Sequence, residues 1–390
     1  MIHRFAFPTT IHFGAGASAL VGAHLNEQGR KRPLVVTDRA LAQLPVAQRF
    51  VASLREGGLD VAVFDGVAGN PTASQANSGG RAFRDHRADC VVGFGGGAAL
   101  DVAKIVGVLG TQGGDAIEYA WDHPNVRAIG DDIPYFIALP TTAGTGSEVG
   151  RSSVVSEDDT HIKRIVFSPK ILAKAVFADP DLTRDLPAPV TAATGMDALT
   201  HNVESYLSPA YHPLCDGIAL EGVRIAARAL PIAVREPRNI EARSDMMMAS
   251  MMGAIAFQKD LGAVHSCAHA LSTVADFHHG LANGVMIDHV MRFNLPAASA
   301  KMAELARVAG VSGTAGASEP AAAQRLIDWL VQLKTEIGIP ATIGAVKDVR
   351  PVTRADVPAL VDIAVHDICH QTNPRPCTAA DFERIFAAAL

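Results

Sequence analysis

The chain has 390 residues, 48% hydrophobic and 19% charged, which excludes a disordered protein and gives enough length for two packed domains. Its formal net charge is 34 − 40 = −6, which argues against nucleic acid or an anionic membrane as the main partner. Five scattered cysteines without a CxxC pair read as reduced thiols, and no stretch approaches the roughly 18 uninterrupted apolar residues of a membrane helix; a cytoplasmic protein is expected.

In chain order, "PLVVTD" (33–38), "LDVAVFD" (59–65), "DCVVGFGGG" (89–97) and "PYFIALPTT" (134–142) predict buried strands. Helical patterns lie between them, at 40–57 and 72–88. This alternation predicts βαβ units and a Rossmann-like, doubly wound parallel sheet. From about residue 188 the pattern becomes helical and rich in Ala, Met and Leu: "VTAATGMDALTHNVESYLS", "DGIALEGVRIAARAL", "SDMMMASMMGAIAFQ" and the segment from 296 onward. The methionines at 246–248, 251 and 252 read as core filler, and 311–324 reads as a surface loop entering a helix. The expected organisation is an α/β domain over 1–185 and an all-α domain over 186–390.

"GFGGGAALDVAK" (93–104) follows a strand and opens a helix, so Gly95, Gly96 and Gly97 let the backbone approach an anion at a helix N-terminus. It matches neither the G-x-G-x-x-G fingerprint nor a Walker A loop. A second small-residue loop, "PTTAGTGSE" (140–148), also follows a strand and brings Thr141, Thr142, Thr145 and Ser147 to a ligand crevice. Asp38 ends the first strand. It suits either a ribose hydroxyl, which favours NAD over NADP, or the N-cap of the next helix. Asp101 and Lys104 either fix the loop helix or its ligand, or form a surface pair.

Asp197 and His201 stand four apart, one helical turn, and can share a divalent cation. His265 and His269 repeat that spacing, which gives the four-ligand set Asp197, His201, His265 and His269. His279 is fourteen positions beyond His265, about 21 Å along a straight helix, and joins only if the chain turns between them. "ADFHHG" offers such a break, so two ligand sets stand open. Nitrogen donors with one carboxylate suit Fe, Zn, Mn or Ni rather than Mg or Ca.

The pieces "FGAG" (13–16), "VVTD" (35–38), "NPT" (70–72), "GGGAALDVAK" (95–104), "LPTTAGTGSEV" (139–149), "DP" (179–180), "GMDALTHNVESYLS" (195–208), "AFQKDLGAVHSCAH" (256–269), "HHGLANGV" (278–285) and "NPR" (373–375) span nearly the whole chain. With them the chain resembles the iron-containing (group III) alcohol dehydrogenases. The resemblance implies a two-domain, dehydroquinate synthase-like architecture with a dinucleotide-binding first domain and a metal-binding, catalytic second one. It implies an NAD(P)-linked alcohol dehydrogenase or aldehyde reductase acting on a small alcohol, diol or hydroxyacid. It also implies one divalent metal (Fe2+ first, Zn2+ second) and a homodimer or higher homo-oligomer; the cofactor expected, with Asp38 in place, is NAD, with NADP second. The metal ligands carried over are Asp197, His201, His265 and His279. That set requires a bend between residues 270 and 279.

The cofactor-binding residues implied are Asp38, Asn70, Gly95, Gly96, Gly97, Asp101, Thr141, Thr142, Thr145 and Ser147. His269 then lies beside the metal as the candidate catalytic group for proton transfer or substrate positioning; no role transfers to His278. Ala98, Ala270 and Ser272 depart from the family pattern. Lys259 and Asp260 stand just before the ligand helix, where many members of the family have small or neutral residues, and Asp276 and His370 are expected to add polar groups near the substrate pocket. All four ligands are present, unlike in the metal-free maleylacetate reductases. The alternative reading is a metal- and NAD-dependent non-redox lyase or cyclase like the dehydroquinate synthases.

Overall fold

The computed structural model describes residues 3, 5–7 and 9–390. They divide into two compact units. One comprises Ala6–Thr142 and Gly146–Arg184. The other comprises Asp185–Leu390 with Ala143–Thr145 and the described residues up to Phe5.

The first unit is built on β1 (Thr10–Phe13), β2 (Pro33–Asp38), β3 (Ala62–Val67), β4 (Cys90–Gly95), β5 (Tyr135–Pro140) and β8 (Ala175–Ala178), hydrogen-bonded in the order β1-β8-β5-β4-β2-β3. All neighbours are parallel. β6 (Ser152–Ser156) and β7 (Lys163–Phe167) form a separate antiparallel pair. The helices are α1 (Val21–Glu27), α2 (Arg39–Ala42), α3 (Pro45–Glu56), α4 (Ala73–His86) and α5 (Gly97–Gln112).

Continuous apolar runs in β2, β4 and β5 follow from a parallel sheet covered on both faces. The core includes stacked Phe50 and Phe94, with Val35, Val92, Ile137 and Phe177 around them. The helix expected over 40–57 is two helices. Pro45 pushes Leu44 into extended backbone, which ends α2 and lets proline open α3. Thr72 and Gln75 cap α4 reciprocally, where the expected helix 72–88 begins.

The second unit is helical: α6 (Ala188–Leu207), α7 (Pro213–Arg235), α8 (Ile240–Ala256), α9 (Ala263–Ala275), α10 (His279–Val308), α11 (Glu319–Glu336), α12 (Val357–His366) and α13 (Ala379–Ala389). α6 is buried on every side from Thr191 to Ser205 and packs against α7, α8 and α10. Gly280 permits the α10 approach: a Cβ there would stand 2.4 Å from the Ala193 carbonyl oxygen and 3.1 Å from the Asp197 Cβ. No helix among the described residues is long and apolar enough to cross a membrane.

Candidate functional site

In the sheet unit, β2 leads to β3 on one side, while the neighbouring β4 leads to β5 on the other. The order reverses between β2 and β4, and ligands of open α/β sheets bind at the carboxyl ends of such strands. Asp38 ends β2, Gly95 ends β4, and Thr141 and Thr142 follow β5. The Thr141 N–H donates to the Gly95 carbonyl at 3.0 Å, which ties the two loops together.

Gly95 has φ 157°, and a Cβ there would meet the Ala99 Cβ at 2.6 Å, so only glycine fits. Gly96 is the N-cap of α5 with no side chain capping the helix, and Gly97 opens it. The backbone and the positive end of the helix dipole thus suit an anion. Asp38 is the N-cap of α2. Its Oδ1 accepts from Leu41 N–H at 2.8 Å as an N-cap, while Oδ2 turns toward Gly95. Asn70 follows β3 on the same edge of the sheet.

Asp101 and Lys104 do not form a surface pair. Lys104 is buried, and its ammonium bonds Ser147 Oγ at 2.7 Å and the Ser152 carbonyl at 2.6 Å. Asp101 accepts from Ser147 Oγ at 2.5 Å and Val154 N–H at 3.1 Å. Asp101 and Ser147 therefore brace the base of the loops with hydrogen bonds of their own. Thr145 belongs to the helical unit.

In the helical unit, α9 ends at Ala275. Asp276 then takes a left-handed conformation at φ 54°, which aspartate tolerates, and Phe277 is fully buried beneath the turn. His278 N-caps α10 through Leu281 N–H, and His279 is the first helical residue. The required bend is present, and His278 and Asp276 build it.

The turn brings Asp197, His201, His265 and His279 together, with ligand atoms all within 4.8 Å of one another. Asp197 Oδ1 lies 3.8 Å from His201 Nε2, 3.7 Å from His265 Nε2 and 3.5 Å from His279 Nε2. Burial lowers the His201 pKa to about 4 despite the Asp197 charge, so that ring presents a lone pair at neutral pH. His265 donates its Nδ1–H to Glu204 Oε2 at 2.6 Å, which leaves Nε2 as a lone pair facing Asp197. Glu204 Oε1 in turn accepts from Val264 N–H at 2.7 Å. This is the carboxylate–histidine support typical of metal ligands. Asn283, one turn past His279, donates Nδ2–H to Asp197 Oδ1 at 2.7 Å and lies 3.3 Å from His265 Nε2 and 3.2 Å from His279 Nε2. Three imidazoles around one buried carboxylate fit Fe2+ or Zn2+.

His269 stands outside this group. Its Nδ1 bonds Asp367 Oδ2 at 2.8 Å, it clusters with Asp367 and Cys369, and its ring stacks on His279 at 5.2 Å. Burial alone would raise the Asp367 pKa. The facing His269, with hydrogen bonds from Cys369 N–H and Ser266 Oγ, instead holds it well below the usual carboxylate range. Sequence reasoning missed Glu204, Asn283 and Asp367. A signal existed for Glu204, since 197, 201 and 204 fall on one helical stripe.

Lys259, just before α9, and His370 each bond within the helical unit. Lys259 is buried in an ion pair with Asp216, and its carbonyl accepts from Ser208 Oγ at 2.6 Å. His370 bonds the Val365 carbonyl at 2.9 Å and meets Phe382 edge-on. Asn373, from the "NPR" motif, accepts from Ala263 N–H at 3.3 Å and so anchors the start of α9.

The family model for iron-containing alcohol dehydrogenase matches residues 8–180, and the model of that family's C-terminal region matches residues 191–390. The chain belongs to the iron-containing alcohol dehydrogenase family. It is a metal-dependent, NAD-linked oxidoreductase acting on CH–OH groups. This dehydrogenase is 37% identical to the 4-hydroxybutyrate dehydrogenase of Cupriavidus necator over 98% of each chain. It is 37% identical to the 1,3-propanediol dehydrogenase of Citrobacter freundii over 99% of this chain and 98% of that one. A crystal structure of a 1,3-propanediol oxidoreductase superposes with TM-score 0.94 and 35% identity over 100% of both chains.

Proposed function

We propose that this dehydrogenase interconverts a small primary alcohol, diol or hydroxyacid with its aldehyde, and that Asp197, His201, His265 and His279 hold its divalent ion, Fe2+ first and Zn2+ second. The observation that carries this reading is the convergence of one carboxylate oxygen and three Nε2 atoms, with a buried glutamate behind one imidazole. A divalent ion bound there supplies positive charge that eases loss of the hydroxyl proton of an alcohol. Hydride acceptance belongs to the nicotinamide.

The chain's own residues do the rest. Gly95, Gly96 and Gly97 at the start of α5, with Thr141 and Thr142, receive the pyrophosphate; Thr145 and Asn70 are assigned to the same cofactor. Asp38 Oδ2 accepts from a ribose hydroxyl and repels a 2′-phosphate, which selects NAD over NADP. Asp101 and Ser147 serve the cofactor by keeping the loops in shape. Glu204 orients His265. His269 meets the substrate hydroxyl as the catalytic group, one turn from His265 and stacked on His279.

Names of relatives support the substrate class: 4-hydroxybutyrate, 1,3-propanediol and lactaldehyde all carry a second polar group. Five free cysteines support a reduced, cytoplasmic setting. A homodimer or higher homo-oligomer completes the reading; the mass of the purified protein in solution checks it.

The test is a panel of alkanols, diols and hydroxyacids with NAD and NADP, run beside elemental analysis. Chelator-treated protein is expected to lose alcohol oxidation and to regain it with Fe2+ or Zn2+. Full activity after complete metal removal refutes the reading.

A further inference from the structure

Resting on the reading of His269 as the group that meets substrate, we propose that Asp367 is a positioning residue that fixes His269 in one tautomer and one orientation, so that Nε2 remains the ring's hydrogen-bond acceptor.

The argument starts from donor and acceptor inventory. An ionised carboxylate only accepts, so the His269 nitrogen 2.8 Å from Asp367 Oδ2 must be an N–H, and in neutral imidazole the other nitrogen then carries the lone pair. Asp367 is itself held. Its Oδ1 accepts from Ser266 Oγ at 2.8 Å and from Cys369 N–H at 2.9 Å. Ser266 and His269 are three apart on α9, so one helix face presents both groups to the same carboxylate. The Asp367 side chain is 17% exposed and that of His269 18%, enough shielding for these bonds to outcompete water.

The ring plane has a second constraint. His269 stacks on His279 with centroids 5.2 Å apart and planes 21° from parallel. One hydrogen bond and one stack leave the imidazole little freedom in either χ angle. A carboxylate set behind one ring nitrogen, with an acceptor on the other, is the arrangement by which aspartate holds histidine in serine hydrolases. Here it would offer a fixed acceptor to a substrate hydroxyl.

The test uses the metal-loaded, full-length dehydrogenase. In zinc-loaded protein with ¹⁵N-labelled histidine, His269 is expected to show its proton on Nδ1; Asp367→Asn, whose amide can donate to that nitrogen, shifts it toward Nε2. Asp367→Asn is expected to lower kcat by about tenfold or more while the alcohol KM and the metal content stay within about twofold. Asp367→Glu restores part of kcat, and Asp367→Asn combined with His269→Ala is no worse than His269→Ala alone. Wild-type kcat in Asp367→Asn, or loss of metal from it, overturns the proposal, the latter by making Asp367 a support of the metal centre. If Asp367→Asn fails to fold, Ser266→Ala is read the same way: a severalfold loss of kcat with metal retained supports the proposal, and unchanged kcat overturns it. His269→Ala separates the two levels. Wild-type kcat there refutes the reading of His269, whereas a loss there beside a normal Asp367→Asn refutes only the role of Asp367.

Discussion

Glu204 Oε2 lies 2.6 Å from His265 Nδ1, both side chains buried, so a carboxylate on α6 fixes the tautomer of a proposed metal ligand on α9. Glu204→Gln keeps the size and removes the charge. Metal affinity is expected to fall by about 10–100-fold, read by competition with a chromophoric chelator. Unchanged affinity would mean that Glu204 serves only to anchor Val264.

The two rival ligand sets differ in one histidine. His279→Ala is expected to lose most bound metal after dialysis, while His269→Ala keeps it and loses kcat. Elemental analysis of both purified variants checks this, and the reverse order of metal loss refutes the assignment.

Asp38 serves a helix with one oxygen and faces the glycine loop with the other. Asp38→Ala is expected to lower kcat/KM with NAD and to raise it with NADP, each by about tenfold, or roughly 1.4 kcal/mol. Loss of the N-cap costs about 1 kcal/mol of stability besides. Steady-state rates with both cofactors decide it; an unchanged NAD preference leaves Asp38 as a cap alone.

Gly280→Ala places a methyl group 2.4 Å from the Ala193 carbonyl oxygen, against backbone that cannot yield cheaply. Destabilisation of about 1–3 kcal/mol is expected from forcing α6 and α10 apart, with weaker metal binding as the ligands separate. Denaturant melts and chelator competition on the same preparation test both halves.

Burial raises the Glu148 pKa to about 7, against an ordinary value of 4.5. A carboxyl with a raised folded-state pKa binds more protons folded than unfolded, so stability falls as pH rises through that window. Between pH 4.5 and 7 the wild type is therefore expected to lose stability relative to Glu148→Gln. Parallel pH dependences in urea titrations would contradict this.

Much of the sheet could be read from the sequence because parallel strands announce themselves as apolar runs, as in β2, β4 and β5. β1 and β8 are only four residues long, and β6 and β7 alternate weakly, so local pattern did not mark them. Helix 40–57 looked continuous because its periodicity survives the break at Leu44–Pro45. The ligand problem shows the limit most clearly. Spacing ranks His269 equal to or above His279, and only the three-dimensional turn at Asp276 reverses that order. Asp367 is 98 positions from His269, and no local rule joins them. The burial of Lys259 against Asp216 was equally out of reach, because a charged side chain gives no sign in sequence of a distant partner.

Asn283 joins three helices at one point. Its amide group meets Asp197 Oδ1 on α6 and lies against Nε2 of His265 on α9 and of His279 on α10, while Asp197 and His201 are held one turn apart by α6 itself. A shift of any one of these helices is therefore felt at side chains borne by the other two, so packing changes far from the cluster reach it through a single amide.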